Sequence, residues 1–304
     1  MKTIVNGVYP TMLTPFKNGE IDYDALAKLV EYYYEGGCKG LFAVCQSSEM
    51  QFLSLKERVN LAKAVLGLSD GRMDVVASGH ISDSIEAQAE EVQAIYETGI
   101  KVATLISNRF DINNEGDERF IENAEKFLEK IPKEIPLGFY ECPRPYKRLL
   151  SDKLIDWCVS SGRISFIKDT CCDPATLERR LEKTKNSEVM IFNANGQTLL
   201  HSLRHGAAGY SGIMANFCPK LASWLCENYN HPDADKVSNI FSMISCTENP
   251  FYPMSAKYNM QLEGIDMSLQ TRSVIDNSLP EYQRFVVRQI RDLYEDTLER
   301  FNIK

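Results

Sequence analysis

Short apolar, β-branched runs alternate with segments of helical period along most of the chain. The segment 22–35 shows the helical period, because Leu26, Leu29, Val30 and Tyr33 recur on one helical face. The apolar runs between such segments predict buried strands. Eight runs are predicted as strands: 7–12, 40–45, 74–79, 102–107, 136–141, 164–170, 189–195 and 209–215.

A helical segment follows each predicted strand. Two of these segments open with Pro174 and Pro219, in keeping with the preference for proline in the first turn of a helix. Asp83 precedes the third segment and is predicted as its N-cap. The predicted helices are 22–35, 55–66, 84–98, 117–130, 152–161, 174–185, 197–205 and 219–229.

Eight β–α units in succession predict a (β/α)₈ TIM barrel. A doubly wound open sheet is the alternative, but that fold usually carries a glycine-rich phosphate loop, and neither G-x-G-x-x-G nor G-x-x-x-x-G-K-[ST] occurs here. After residue 230 the pattern becomes helical throughout, with helices predicted at 235–245, 255–262 and 280–301. We therefore expect a barrel of residues 1–230 and a C-terminal helical extension of residues 231–304, packed on the barrel or on another subunit.

Composition and charge narrow the classes of function. The 304 residues are 44% hydrophobic and 25% charged, which is typical of a soluble globular protein. A net charge of −8 disfavours nucleic acid and anionic membranes as partners. No apolar stretch approaches the roughly 20 residues of a spanning helix, and residues 1–7 lack the apolar core of a signal peptide. A cytoplasmic location is expected.

Cysteine and histidine offer weaker candidates for chemistry. The nine cysteines form no C-x-x-C motif, and adjacent Cys171 and Cys172 are poorly placed for a shared metal or an ordinary disulfide. Scattered thiols are mostly small buried hydrophobic groups, so a cysteine nucleophile is the lesser alternative. His201 and His205 are four residues apart on a predicted helix, where surface or packing roles are expected rather than zinc binding.

Lys168 is the most informative residue of the chain, because it lies in the apolar predicted strand 164–170. Burial disfavours an ammonium group and is expected to lower its pKa. A neutral buried amine can attack a carbonyl and form a Schiff base. The strand alone leaves a second interpretation open, in which Lys168 ends the strand paired with Asp169 or exposed to solvent. Strand alternation places Lys168 and Asp169 on opposite faces.

The active site of a TIM barrel forms at the carboxyl ends of its strands. Tyr140 is predicted at the end of the fifth strand, where it would meet Lys168. An amine, a phenol, hydroxyls and glycine backbone together suit carbinolamine chemistry, with the phenol moving protons and the hydroxyls and N–H groups holding a carboxylate. The polar segments predicted at the same mouth are Gln46-Ser47-Ser48-Glu49, Asn195-Gly196-Gln197 and Gly209-Tyr210-Ser211-Gly212.

At these residues the sequence resembles the dihydrodipicolinate synthase / N-acetylneuraminate lyase family. The resemblance spans nearly the whole chain and rests on motifs that occur in the family's order and spacing. Ile167-Lys168-Asp169-Thr170 matches the family's Ile-Lys-(Asp/Glu)-(Ser/Thr), and Tyr140-Glu141-Cys142-Pro143 matches its Tyr-Asn-x-Pro. The other matching segments are 7–16, 45–49 with 53–58, and the glycine-rich 209–216.

The resemblance implies a Schiff-base-forming (β/α)₈ enzyme with a C-terminal helical extension, usually a homotetramer built as a dimer of dimers. Lys168 would form the imine with pyruvate or another 2-oxo acid. Tyr140 would relay protons to the carbinolamine and to the aldol oxygen. The partners implied are a small 2-oxo acid and an aldehyde or related acceptor.

The same resemblance assigns the substrate-binding residues. Ser47, with the backbone of its neighbours, would bind the carboxylate, and Ser211 lies where a backbone group contacts the keto acid. Gln46 and Ser48 are the other substrate-binding candidates. Glu49 is expected to be structural and to tie its loop to a backbone N–H. Neither a metal nor an organic cofactor is expected, because the protonated imine is itself the electron sink.

At the specificity positions the sequence departs from both named activities. Gln46 replaces the first threonine of the family's hydroxyl pair, and Ser107 stands where dihydrodipicolinate synthases have a tyrosine that reaches the neighbouring subunit. Pro145 stands where those enzymes have an arginine for the second substrate. Residues 194–197 read Ala-Asn-Gly-Gln, where sialic acid lyases have Gly-x-Asp-Glu.

Three functional hypotheses follow. The first is a lysine-imine lyase or aldolase that makes or breaks a carbon–carbon bond, or dehydrates a sugar acid. The others are a divergent 4-hydroxy-tetrahydrodipicolinate synthase and a catalytically silent barrel that binds 2-oxo acids for regulation. The basic cluster Arg144, Lys147 and Arg148 is expected either to bind a substrate carboxylate or to be solvated surface.

Overall fold

Eight parallel strands form a ring at the centre of the computed structural model, which describes residues 3–247, 250–274 and 276–304. Phe42 N donates to Pro10 O (3.0 Å) and Met12 N donates to Phe42 O (3.1 Å), which joins the first barrel strand to the second and closes the ring. The strands are Gly7–Val8 (β1), Gly40–Phe42 (β4), Asp74–Ala77 (β5), Val102–Ile106 (β6), Leu137–Tyr140 (β7), Ile164–Asp169 (β8), Met190–Asn193 (β9) and Gly209–Tyr210 (β10). A two-stranded hairpin, Phe16–Lys17 (β2) and Glu20–Ile21 (β3), follows β1.

Helices follow each barrel strand and cover the outside of the ring, which confirms the predicted TIM barrel. Each barrel strand lies within its predicted run and is shorter than the run, because the mouth residues leave the ladder for loops. The helices are Tyr23–Glu35 (α1), Leu55–Ser69 (α2), Ile85–Tyr96 (α3), Asp117–Leu128 (α4), Asp152–Ser161 (α5), Pro174–Thr184 (α6), Leu199–Arg204 (α7), Pro219–Asn228 (α8), Ala234–Ile244 (α9), Met254–Leu262 (α10) and Glu281–Arg300 (α11).

Local capping differs from the prediction at one helix. Ser84, not Asp83, caps α3, since the Ser84 side chain accepts the backbone N–H of Ala87. The Asp83 carboxylate instead pairs with Arg109, with Arg109 Nη1 2.6 Å from Asp83 Oδ1. Elsewhere the predicted helix starts agree closely, as at α1, where Asp22 accepts from the first turn.

The C-terminal segment is less regular than predicted. It contains α9, α10 and α11, but residues 263–274 and 276–280 are not helical. The prediction that this segment is helical throughout is therefore wrong. α11 contacts α8, α9 and α10. The boundary at residue 230 stays a prediction.

An aromatic layer fills the barrel beneath its open end. The rings of Tyr9 and Phe192 are 4.7 Å apart, those of Phe166 and Phe192 5.0 Å, and those of Phe42 and Phe166 6.0 Å. Rings at these separations pack edge-on or tilted. Because Phe166 and Lys168 share one face of β8, Lys168 stands directly above this layer. No helix among the described residues is both long and apolar enough to cross a bilayer.

Candidate active site

A cavity of about 300 Å³ opens at the carboxyl ends of the strands. Its lining includes Gln46 and Ser47 from the loop after β4, Tyr140 from β7 and Lys168 from β8. A larger, open hollow of about 780 Å³ lies on the outer surface beside α3 and α4 and contains neither Tyr140 nor Lys168. The smaller cavity is therefore the candidate active site.

Lys168 and Tyr140 are direct neighbours in the sheet, because their Cα atoms are register partners in β8 and β7. Each is 4% exposed, and both side chains line the cavity. The Nζ atom of Lys168 lies 4.2 Å from the centre of the Tyr140 ring. Burial raises the pKa of the Tyr140 phenol well above its usual value, so the phenol holds its proton at neutral pH and can donate it.

The opposite face of the same strands holds a buried ion network. Arg180 of α6 pairs with both Asp169 and Glu141, and its Nη2 lies 2.9 Å from Glu141 Oε1. Glu141 also accepts the backbone N–H groups of Leu150 and Thr170, each at 2.7 Å. Asp169 therefore points to Arg180 on the side of β8 away from the cavity, as strand alternation predicts. The network fixes the strand ends that carry Tyr140 and Lys168.

The loop after β4 brings two polar side chains to the cavity. Ser48 Oγ accepts from Cys45 N and donates to Cys45 O, both at 2.7 Å, and so closes a tight turn. Gln46 and Ser47 line the cavity, and Gln46 Oε1 accepts from Cys142 Sγ at 3.1 Å. The Ser48 hydroxyl holds the turn instead of facing the cavity.

Ser211 is placed differently from the other predicted site residues. It is fully buried, and its N–H donates to Asn193 O at 2.8 Å as part of the barrel ladder. Its neighbours Gly212 and Ile213 line the cavity. A Cβ atom on Gly212 would lie 2.4 Å from Ala194 O, so glycine permits this close approach. Residues 212–213 therefore border the cavity, whereas the Ser211 side chain is buried beneath it.

Burial disfavours the alternative of a cysteine nucleophile beside Lys168. It raises the pKa of the Cys45 thiol and of the Cys142 thiol, although the nearby Lys168 charge lowers both. A thiol is a weak nucleophile until it loses its proton. A cysteine nucleophile is therefore disfavoured at this end of the cavity.

Glu49 ties the mouth of the barrel to the C-terminal segment. Its Oε1 lies 3.2 Å from Nζ of Lys257 in α10, and both side chains are fully buried. Its Oε2 accepts the N–H groups of Arg272 (2.6 Å) and Ser273 (2.7 Å). The predicted structural role of Glu49, with backbone N–H partners, is confirmed. Burial lowers the pKa of Lys257 to about 8, even though the Glu49 charge opposes this shift.

We expect Glu49→Gln to lower the free energy of unfolding by about 3 kcal/mol, the cost of leaving a buried charge without its partner. Denaturant unfolding measures the change. Glu227→Gln is the matched control, since Glu227 pairs with Lys39 at an exposed site, where an ion pair contributes at most about 1 kcal/mol. Equally small losses of stability in the two variants would contradict a stabilising role for the buried Glu49–Lys257 pair.

His80, in the loop after β5, is a fully buried side chain that contacts both β6 and α3. Its Nδ1 lies 3.0 Å from the N–H of Ile106 and must accept that hydrogen, so the ring proton is on Nε2, which donates to Gln88 Oε1 at 2.9 Å. Burial lowers the pKa of His80 to about 4. A second proton on the ring would also remove the acceptor of the Ile106 N–H.

The His80 pKa makes stability sensitive to acid. Between pH 6.5 and 4 the unfolded chain binds a proton at His80 that the folded chain does not, so the free energy of unfolding falls as the pH falls. The expected loss from this residue is about 3 kcal/mol. Denaturant unfolding at pH 7 and pH 4 measures it by comparison with His80→Asn. Parallel pH dependences in the two proteins would rule out this contribution.

The three basic residues near the mouth divide into two groups. Arg148 pairs with Asp111 (2.8 Å) and Asp117 (2.7 Å), so it braces the loops around α4. Arg144 and Lys147 line the cavity. Among the described lining residues Glu49 is the only carboxylate, and Lys257 neutralises it. The open side of the cavity is therefore cationic.

Three lining residues from the C-terminal segment were not predicted. Tyr252, Pro253 and Ser273 close one side of the cavity. Tyr252 Oη accepts from the side-chain nitrogen of Asn216 at 3.1 Å, which links it to the end of the barrel. The rigid aromatic run Phe251-Tyr252-Pro253, between two predicted helices, was the available signal, but nothing local indicates that it folds over the mouth.

Comparison with known proteins agrees with this architecture. The model of the Dihydrodipicolinate synthetase family matches residues 4–291. A 4-hydroxy-tetrahydrodipicolinate synthase of Methanococcus maripaludis (strain C6) is 25% identical over 237 residues, which cover 78% of this chain and 79% of that protein.

Solved structures share the fold. A monomeric dihydrodipicolinate synthase variant superposes with a TM-score of 0.86 at 20% identity, over 96% of this chain and 98% of the other. A chloride-inhibited dihydrodipicolinate synthase from Acinetobacter baumannii, complexed with pyruvate, gives a TM-score of 0.83 at 21% identity, over 96% and 99%. These likenesses extend over the C-terminal segment as well as the barrel.

Proposed function

This chain belongs to the dihydrodipicolinate synthetase family, and from that premise we propose that it is a Schiff-base-forming lyase or aldolase acting on pyruvate or a related 2-oxo acid. One observation carries the proposal: the buried amine of Lys168 lines the cavity 4.2 Å from the Tyr140 ring. The reaction makes or breaks a carbon–carbon bond, or dehydrates a sugar acid.

In the proposed chemistry the amine of Lys168 gives up its proton and attacks the C2 carbonyl of the keto acid to form a carbinolamine. Tyr140 donates a proton to the oxygen that departs as water, and a protonated imine remains. The Tyr140 phenolate then takes a proton from C3 to give an enamine, with the imine nitrogen accepting the electron pair. The enamine attacks an aldehyde carbon, and the reverse sequence cleaves an aldol. The electron sink is the imine, so the scheme uses no metal and no organic cofactor.

We place the keto acid carboxylate against Ser47 and Gln46. Both side chains line the cavity in the tight turn that Ser48 closes, and backbone N–H groups of such a turn can also face an anion. The backbone at 212–213 borders the same space. Ser48 and Ser211 support this site through the turn and the barrel ladder.

The acceptor is proposed to be an anionic aldehyde. Arg144 and Lys147 line the open side of the cavity, where a carboxylate or phosphate of the acceptor would meet them. A 4-hydroxy-tetrahydrodipicolinate synthase activity is the second candidate, favoured by the relative of that name from Methanococcus maripaludis. The assembly proposed is a cytoplasmic homo-oligomer, a dimer of dimers, with the barrel in residues 1–230 and the extension in 231–304.

Borohydride trapping tests the proposal. The purified chain is incubated with pyruvate and borohydride, and its intact mass is measured. The expected result is a gain of one reduced pyruvyl group, absent in Lys168→Arg, which keeps the positive charge but has no primary amine. Lys183→Arg is the control on the exterior helix α6 and should be labelled like the native chain. No adduct with any of a panel of 2-oxo acids would overturn the enzyme proposal in favour of the silent binding barrel.

A further inference from the structure

A second cluster of reactive side chains lies outside the cavity, on the helical layer. Glu178 belongs to α6, His201 to α7, and His205 follows the end of α7. One ligand atom from each residue lies within 4.8 Å of the other two. We propose that these three side chains bind one divalent transition-metal ion and so join α6 to α7. The proposal is independent of the Schiff-base chemistry.

The hydrogen bonding of His205 leaves one ring nitrogen available as a ligand. Its Nδ1 lies 2.8 Å from the carbonyl oxygen of His201, and a carbonyl can only accept, so Nδ1 carries the proton. In the neutral ring Nε2 then has a free lone pair, which lies 3.8 Å from Glu178 Oε1. A metal-binding histidine typically donates its other N–H to a carbonyl or carboxylate in this way.

His201 contributes a buried nitrogen. Its Nε2 atom is buried and lies 2.8 Å from Glu178 Oε1. A metal ion held between the imidazole and the carboxylate satisfies both groups.

The spacing and the ligand types select the ion. Two ligand atoms of a tetrahedral zinc ion, each at about 2.1 Å from the metal, are about 3.4 Å apart. The observed separations of 2.8 and 3.8 Å from the Glu178 oxygen lie on either side of that value. Two imidazoles and one carboxylate suit zinc or a neighbouring transition metal, whereas calcium and magnesium prefer oxygen ligands only. Because the site is partly exposed, water can occupy the remaining coordination position.

Zinc titration of the metal-free full chain tests the proposal, with calorimetry as the readout. We expect one zinc ion per chain. In His201→Ala and in His205→Ala the affinity for zinc should be at least about tenfold weaker, because even the loss of a residue that only hydrogen-bonds to a metal ligand has an effect of that size. His231→Ala is the matched control, because His231 is an exposed histidine outside the cluster. Its affinity for zinc should equal that of the native chain.

Two further measurements keep the outcome decisive. Circular dichroism of each variant establishes that it is folded, and the native mass is recorded with and without zinc. Zinc that stays bound in a folded His201→Ala, His205→Ala double variant would be held by the exposed thiols and would overturn the proposal. Absence of one-to-one binding in the native chain, or association of chains into a larger oligomer when zinc is added, would overturn it as well.

Discussion

Lys168→Ala is expected to abolish the exchange of pyruvate methyl hydrogens with deuterated water. Exchange requires the enamine, and the enamine requires the amine that forms the imine. The expected loss is at least about 10⁴-fold, the scale seen when a catalytic nucleophile is removed. Proton NMR of pyruvate measures the rate and needs no knowledge of the acceptor aldehyde.

The control for this variant is Lys183→Ala, whose lysine pairs with Asp156 outside the barrel. It should exchange pyruvate hydrogens at the native rate. Exchange that persists in a folded Lys168→Ala at a rate close to native would assign the chemistry to another group.

Tyr140→Phe is expected to slow imine formation by at least about tenfold. This is a lower bound, because proton transfer by a positioned side chain often contributes about 10²-fold or more to a rate. The ring and its packing against Phe42, with centroids 5.6 Å apart, are retained, so only the hydroxyl is lost. Because burial keeps the phenol protonated, the native side chain can donate to the carbinolamine oxygen. The rate of borohydride-trapped adduct formation, followed by mass, measures the effect.

Tyr146→Phe is the matched phenol-to-phenyl control. The Tyr146 hydroxyl donates to the carbonyl of Asp111. Tyr146 is not among the described residues that line the cavity. The control should form the imine at the native rate. An unchanged rate in Tyr140→Phe would remove this phenol from the mechanism.

The barrel and the position of Lys168 at its mouth could be predicted from the sequence, because both depend on short-range periodicity. All eight apolar runs contain a barrel strand. Alternation along β8 places Lys168 with Phe166 on the inner face and Asp169 on the outer face, where Arg180 meets it. The register of β7 and β8 then makes Tyr140 the direct neighbour of Lys168.

Non-local contacts could not be predicted in the same way. Glu49 and Lys257 are 208 residues apart along the chain, and no local pattern pairs them. Ser47 and Ser48 are chemically identical, yet one faces the cavity and the other closes a turn with Cys45. Which hydroxyl does which depends on backbone torsions that composition does not reveal.

The lining of the cavity depends on the same kind of contact. Tyr252 and Pro253 reach the cavity only because the C-terminal segment folds over the mouth. Arg148 and Arg144 are close in sequence, but Arg148 pairs with two aspartates whereas Arg144 lines the cavity. The different positions of these basic residues therefore follow from three-dimensional packing and not from the local sequence.

The most direct test of the proposed mechanism is a crystal structure of the chain soaked with pyruvate. We expect continuous density from Lys168 Nζ to C2 of the keto acid, the Tyr140 hydroxyl within hydrogen-bond distance of the reacting centre, and the carboxylate against Ser47. Pyruvate bound elsewhere, or in this cavity without a bond to Lys168, would contradict the Schiff-base mechanism.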